Sequence, residues 1–196
     1  SGLIVELGAW VFHTAVRELR AWDAQGLTGV RMAINVSLVQ FRDPQFLQRV
    51  RAALDETGIA PERIELEITE SVAMMEAETV IAILSELKQM GIQIAIDDFG
   101  TGFSSLSYLH RLPIDRLKID RAFVRDLDSH KGSGASIAQT VIRLGQSLGL
   151  SVIAEGIETE EQAQLLMDLG CPLAQGFLYS RPVDSGSFIA WCRARN

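Results

Sequence analysis

The sequence predicts an α/β fold, a (β/α)8 barrel of the TIM type that is N-terminally incomplete, with six βα strand units in view. Three observations carry this expectation. Short apolar runs alternate with amphipathic ones, the signature of right-handed βαβ units and a parallel sheet. Each run is nearly continuous, as strands buried on both faces require. Each then closes on polar chemistry: Asn35, Glu67 with Glu70, Asp97-Asp98, Lys118 with Asp120, Glu155, and Gln175. An open doubly wound sheet collects ligands at one switch point and would leave most strand ends plain. A barrel delivers every strand to one C-terminal rim, so the barrel is favoured.

The elements follow in order. Leu3 to Gln25 is predicted as a helix, with Leu3, Leu7, Trp10, Val11, Val16, Leu19 and Trp22 marking its buried stripe and Gly26 ending it. Strands are predicted at Arg31 to Val36, Ile64 to Thr69, Gln93 to Asp97, Arg116 to Asp120, Ser151 to Glu155 and Leu173 to Phe177. Helices are predicted at Pro44 to Thr57, Glu76 to Met90, Ser104 to Leu109, Ala135 to Leu148, Glu160 to Leu169 and Ser187 to Arg195. Gly58, Gly91, Gly149 and Gly170 each stand just past a helical pattern, where a left-handed capping residue is wanted. No composition break or linker divides residues 1–196, which read as one domain.

Composition removes several classes. A chain of 196 residues, 47% hydrophobic and 22% charged, is neither disordered, collagen-like nor a coiled coil. A net charge of −7 argues against duplex nucleic acid or an anionic membrane as partner. Cys171 and Cys192 are too few for a disulfide framework and lack metal-type spacing, which suits a reduced cytoplasmic domain. Uncharged stretches such as Leu144 to Ala154 are shorter than the roughly 20 residues a membrane-spanning helix needs. The start, Ser1-Gly2-Leu3-Ile4, has no initiator Met and no basic n-region, and reads as a cut through a longer protein.

Taken singly, several polar residues have plain readings. Asn35, followed by Ser37, would serve as a turn cap. Glu65 and Glu67 share one face of an alternating strand, which is ordinary at a solvated edge but not among parallel strands. Glu70 reads either as an N-terminal helix acid or as a group holding a neighbouring loop. Asp97-Asp98 is the sharpest signal. Adjacent strand residues point to opposite faces, so both reach one site only where the strand ends and turns at Phe99-Gly100-Thr101-Gly102. Two ionised neighbours repel, and a divalent cation resolves that. Lys118, between Leu117 and Ile119, would be buried and therefore paired. Glu155 and Glu158 flank Gly156 after an apolar run, a position suited to a metal ligand or general base.

Two other patterns fail. Gly100-x-Gly102-x-x-Ser105 lacks the third glycine of a dinucleotide fingerprint, and Asp98-Phe99-Gly100 lacks the glycine-rich loop of a kinase. His13, His110 and His130 show no ligand spacing. Carboxylates and an Asn are hard oxygen donors suited to Mg²⁺ or Mn²⁺. Such a cluster holds two ions about 3.5–4 Å apart, the arrangement for phosphoester displacement. Metals at the rim would also let an acidic protein accept an anionic substrate.

The chain resembles EAL domains, the cyclic di-GMP phosphodiesterases. The resemblance rests on Asn35-Val36-Ser37, Glu67-Ile68-Thr69-Glu70, Asp97-Asp98-Phe99-Gly100-Thr101-Gly102-Phe103-Ser104-Ser105-Leu106, Leu117-Lys118-Ile119-Asp120, Ala154-Glu155-Gly156-Ile157-Glu158 and Gln175-Gly176-Phe177, in consistent order from Gly2 almost to the C-terminus. It implies metal ligands at Asn35, Glu67, Asp97 and Asp98, a catalytic-water residue at Lys118, and a general base or metal ligand at Glu155. It implies a guanine contact at Gln175, an acidic neighbour at Glu158, and a glutamate, Glu70, that anchors the loop from Asp98 to Ser105. Thr101, Ser104 and Asp120 support the same rim. The implied reaction is two-metal (Mg²⁺ or Mn²⁺), in-line attack of an activated water on cyclic di-GMP, giving linear pGpG. The implied partners are cyclic di-GMP, a second copy in a homodimer, and upstream regulatory or GGDEF domains in the parent protein.

One departure stands out. The Glu-Ala-Leu tripeptide that names the family, whose Glu is a metal ligand, is absent from these 196 residues. A barrel typically has about 250 residues, so the expectation is an EAL domain missing roughly its first two strands and hydrolysing poorly as this stretch alone. The alternative is a catalytically silent cyclic di-GMP receptor, which a missing upstream Glu would favour. An open-sheet signalling domain using Asp97-Asp98 as phosphoacceptor fits worse, because in such receivers the acidic pair follows the first strand.

Overall fold

The computed structural model describes residues 2–73, 77–101, 106–128 and 133–195. The strands are β1 (Met32–Asn35), β2 (Ile64–Thr69), β3 (Gln93–Phe99), β4 (Arg116–Ile119), β5 (Ser151–Glu155) and β6 (Leu173–Gln175). Their order in the sheet is β1-β2-β3-β4-β5-β6, and β1 with β2, β3 with β4, β4 with β5 and β5 with β6 pair in parallel. A doubly wound sheet reverses its strand order at a switch point. The chain-order sequence of strands is that of a TIM-type α/β barrel, of which these are six.

The helices are α1 (Leu3–Ala24), α2 (Leu38–Phe41), α3 (Phe46–Thr57), α4 (Glu70–Ala73), α5 (Ala77–Met90), α6 (Leu106–Leu109), α7 (Arg121–Arg125), α8 (Ser133–Leu148), α9 (Glu160–Asp168) and α10 (Ser185–Arg193). The predicted capping glycines all adopt positive φ: Gly58 at 65°, Gly91 at 100°, Gly149 at 70° and Gly170 at 93°. Several boundaries move. The last helix starts at Ser185 instead of Ser187, because Asp184 caps it by accepting a hydrogen bond from Ser187 N at 3.0 Å. The sixth strand stops at Gln175 instead of Phe177, since the chain turns at Gly176, whose carbonyl accepts from Tyr179 N at 3.1 Å.

The chain forms two compact units, 1–67 with 82–93 and 182–196, and 68–81 with 94–181. In the first, α1 buries Phe12, Val16, Leu19 and Trp22. The predicted stripe is corrected at its N-terminal half: Leu3, Leu7, Trp10 and Val11 are exposed, at 72, 49, 64 and 39%. At about 100° per residue the centres of the two sets lie roughly 140° apart around the helix, with Val11 at the boundary beside Trp22, and α1 buries one side only. Trp22 packs against Phe188 of α10 with ring centroids 4.7 Å apart and the rings tilted by 35°, and its indole N–H donates to Ser185 Oγ at 2.8 Å.

In the second unit, β3, β4 and β5 supply a core of Ile94, Ala95, Ile96, Leu117, Ile119, Val152 and Ala154, covered by Ala138, Val141 and Ile142 of α8 and Leu166 of α9. Asp115 stitches the strand starts together. Its carboxylate accepts from Ile94 N at 2.8 Å, its own N–H donates to Ile94 O, and its carbonyl accepts from Ser151 N. Among the described residues, no helix is long and apolar enough to cross a membrane.

Candidate active site

The densest chemistry lies at the C-terminal ends of β3, β4 and β5. Lys118 stands between the buried Leu117 and Ile119 of β4 and is itself 3% exposed. Burying an ammonium costs several kcal/mol unless it is paired. Its Nζ donates to Glu155 Oε1 at 2.7 Å and lies 3.1 Å from Asp97 Oδ1. The parallel sheet makes this possible: with each strand beside its chain neighbour, a lysine near the end of β4 reaches carboxylates on both flanking strands.

The Asp97-Asp98 pair works differently from expectation. The strand does not end there but continues to Phe99, with a register shift between Ile96, opposite Leu117, and Phe99, opposite Ile119. The extra residue is a β-bulge, and Asp98 adopts φ 53°, the left-handed conformation that Asp tolerates better than most residues. The bulge re-aims the second carboxyl without closing the strand. Asp97 Oδ1 also accepts from Asp98 N at 3.0 Å. Asp98 shares a hydrogen bond with Asp120, the N-cap of α7, whose Oδ1 accepts from Ala122 N at 2.7 Å. Desolvation pushes the Asp98 carboxyl above the usual carboxylate range; the Asp120 hydrogen bond and the charges of Asp97 and Asp120 push the same way, and Lys118 opposes them.

The turn after the bulge is tied down. Glu70, 4% exposed at the start of α4, accepts from Gly100 N through Oε2 at 3.0 Å. Thr101 Oγ1 donates to Asp98 O at 2.8 Å. Ser104 lies outside the described residues.

Glu155 is fixed by the turn that follows it. Gly156 has φ 71° and lies against Arg121, where a Cβ would come within 2.5 Å of that residue's own Cβ. Ile157 N donates to Gln175 O at 3.1 Å, and Ile157 O accepts from Leu178 N at 3.0 Å. At Gly176 an added Cβ would lie 2.1 Å from Ile157 O, so these segments approach so closely that only glycine fits. Glu155 and Gln175 are direct register partners, and both Gln175 and Glu158 are exposed. Glu158 N donates to Gln162 Oε1 at 2.9 Å.

In the other unit, Asn35 and Glu67 are register partners at the ends of β1 and β2. Val36 N donates to Glu67 O at 2.8 Å; Asn35 is exposed and Glu67 is 7% exposed. Thus the structure gathers Asp97, Asp98, Lys118, Asp120 and Glu155 in one unit and pairs Asn35 with Glu67 in the other. Sequence reasoning overlooks two glutamines, Gln40 and Gln162, that hold the turns next to Asn35 and Glu158. The signal is present: Ser37-x-x-Gln40 and Thr159-x-x-Gln162 are both capping boxes.

The donor set fits a divalent cation by its chemistry. The oxygens are hard, and the charges of Asp97 and Asp120 beside the part-desolvated Asp98 are ones a cation would offset. Among the described residues, no three His, Cys, Asp or Glu side chains converge closely enough to hold an ion in this geometry; Lys118 is the cation between Asp97 and Glu155.

The EAL domain family model matches residues 1–182. The chain is 44% identical over 190 residues to the bifunctional diguanylate cyclase/cyclic di-GMP phosphodiesterase MucR of Pseudomonas aeruginosa, covering 97% of this chain and 28% of that protein. It therefore spans about a quarter of the length of that relative. Among solved structures, the MucR phosphodiesterase in complex with c-di-GMP matches with a TM-score of 0.92 at 44% identity, covering 95% of this chain and 75% of that one. BlrP1 of Klebsiella pneumoniae, in a manganese/c-di-GMP complex, matches with a TM-score of 0.77 at 33% identity, covering 91% of this chain and 44% of that one. With its strand order, its strand-end carboxylates and these matches together, the chain belongs to the EAL domain family.

Proposed function

We propose that this chain is the catalytic part of a divalent-metal-dependent phosphodiesterase that hydrolyses cyclic di-GMP to linear pGpG. The observation that carries the reading is Lys118, buried and bridging Asp97 and Glu155 at three adjacent strand ends. Lys118 pairs with both carboxylates and donates to the oxygen of the attacking water. Glu155, within 2.7 Å of that ammonium, takes the water's proton. The bulge at Asp98 and the Glu70–Gly100 hydrogen bond orient the second carboxyl. Gln175, exposed beside Glu155, contacts a guanine base.

Asn35, Glu67, Asp97, Asp98 and Glu155 are the residues that would hold Mg²⁺ or Mn²⁺, two ions in all. Such ions supply Lewis acidity to phosphoryl oxygens and offset the negative charge of rim and substrate. The matched manganese/c-di-GMP complex supports that choice of metal. The protein acts as a homodimer within a larger cytoplasmic signalling protein that carries upstream regulatory or GGDEF domains.

The test is product analysis of cyclic di-GMP incubated with the full-length parent protein, with and without Mn²⁺. The expected result is Mn²⁺-dependent pGpG. Tight binding with no product under any metal condition would replace the enzyme with a receptor.

A further inference from the structure

We propose that Gly8 and Gln40 are positioning residues for Asn35, acting through the turn that follows it. This rests on the reading of Asn35 as a metal ligand. Asn35 is the last residue of β1, and the chain leaves the sheet through Val36, whose N–H donates to Glu67 O at 2.8 Å. It then enters α2, which is only four residues long. So short a helix does not hold itself, since nucleation fixes several dihedrals for one hydrogen bond. Its geometry depends on side chains.

Those side chains are Ser37 and Gln40. Ser37 Oγ accepts from Gln40 N at 3.3 Å, while Gln40 Oε1 accepts from Ser37 N at 3.1 Å and from Ser37 Oγ at 2.8 Å. The amide of Gln40 is held in turn by α1. A Cβ on Gly8 would lie 1.8 Å from Gln40 Nε2 and 2.1 Å from its Cδ, so the amide rests against the helix backbone at Gly8. A glycine inside a helix costs about 1 kcal/mol relative to alanine, and this contact is what it permits. A cavity of about 300 Å³ borders Gly8, Ala9, Asn35, Val36 and Gln40, so the turn is packed on one side only, by Val36 and Phe41. The chain of contacts runs from Gly8 to Gln40 to Ser37 and so to the turn that leaves Asn35.

The test uses the full-length parent protein and reads Mn²⁺ binding by calorimetry, alongside hydrogen exchange of the Val36 and Ser37 amides in metal-free protein. Q40A should lose protection at Ser37 and weaken Mn²⁺ binding about 10–100-fold, the usual loss when a ligand's support is removed. Q40E keeps the Oε1 acceptor and should restore both. G8A should behave as Q40A; G8A/Q40A, which relieves the overlap, should recover thermal stability without recovering metal affinity. In an N35A background Q40A should add less than about twofold, because positioning has nothing left to position. Unchanged Ser37 exchange in Q40A, or a Q40A loss of affinity that persists in full in N35A, overturns the proposal alone. A wild-type protein that binds no Mn²⁺ overturns the ligand reading of Asn35 and this proposal with it.

Discussion

At the scale of single residues, the site is governed by charge held out of water. Lys118 is buried with two carboxylates around it, an arrangement in which each member depends on the others. Replacing it as Lys118→Met leaves Asp97 and Glu155 uncompensated, and chemical denaturation should show a loss of about 3–5 kcal/mol. A loss below about 1 kcal/mol would show that the pair is a solvated surface contact. Asp98 is the opposite case. Its carboxyl titrates above the ordinary range, so the fold favours its protonated form. The stability tied to that proton is full below the ordinary carboxylate pKa and is lost as pH rises through the raised value. In metal-free protein Asp98→Asn should therefore raise Tm at neutral pH, and the gain should vanish at acid pH. An equal shift at both pH values would contradict desolvation and like charge as the source of the raised pKa.

At the scale of elements, the strands were legible because burial on both faces leaves apolar runs that few other structures produce. Ile64–Thr69 and Ser151–Glu155 fall where the sequence predicts. The polar residues gathered in the second unit, Asp97, Asp98, Lys118 and Glu155, were legible for the same reason: each breaks such a run or ends it. What was not legible was shorter than a period or set by tertiary contact. Helices α2, α4 and α7 span four or five residues, too few to show a 3.6-residue repeat. The bulge at Asp98 depends on how β3 registers with β4, which no local pattern encodes. The apolar half-turns of α1 at Leu3, Leu7 and Trp10 carry helical spacing but lie on its exposed side. In the sequence Gly176 is only part of a motif, and the structure supplies its reason in the Ile157 backbone. Gly176→Ala should cost about 3 kcal/mol or more, because the clashing neighbour is main chain and cannot rotate away. A smaller loss in thermal unfolding would mean that the turn after Glu155 yields easily.

At the scale of the whole molecule, a net charge of −7 is the property that first argues against an anionic ligand. The site changes its meaning, since part of that excess lies in Asp97, Asp98, Asp120 and Glu155, where a single buried lysine offsets only some of it. Under the proposed function, bound cations would offset the remainder and let an acidic protein accept an anionic substrate. The chain belongs to the EAL domain family, and a matched relative is named a bifunctional diguanylate cyclase/cyclic di-GMP phosphodiesterase, which is the ground for proposing a phosphodiester as substrate. The most direct test is turnover of cyclic di-GMP by the full-length parent with saturating Mn²⁺, comparing wild type with Asp97→Asn and Glu155→Gln. The wild type should give pGpG and neither variant any above background; pGpG formation by either variant at the wild-type rate would contradict the assignment of these carboxylates to the reaction.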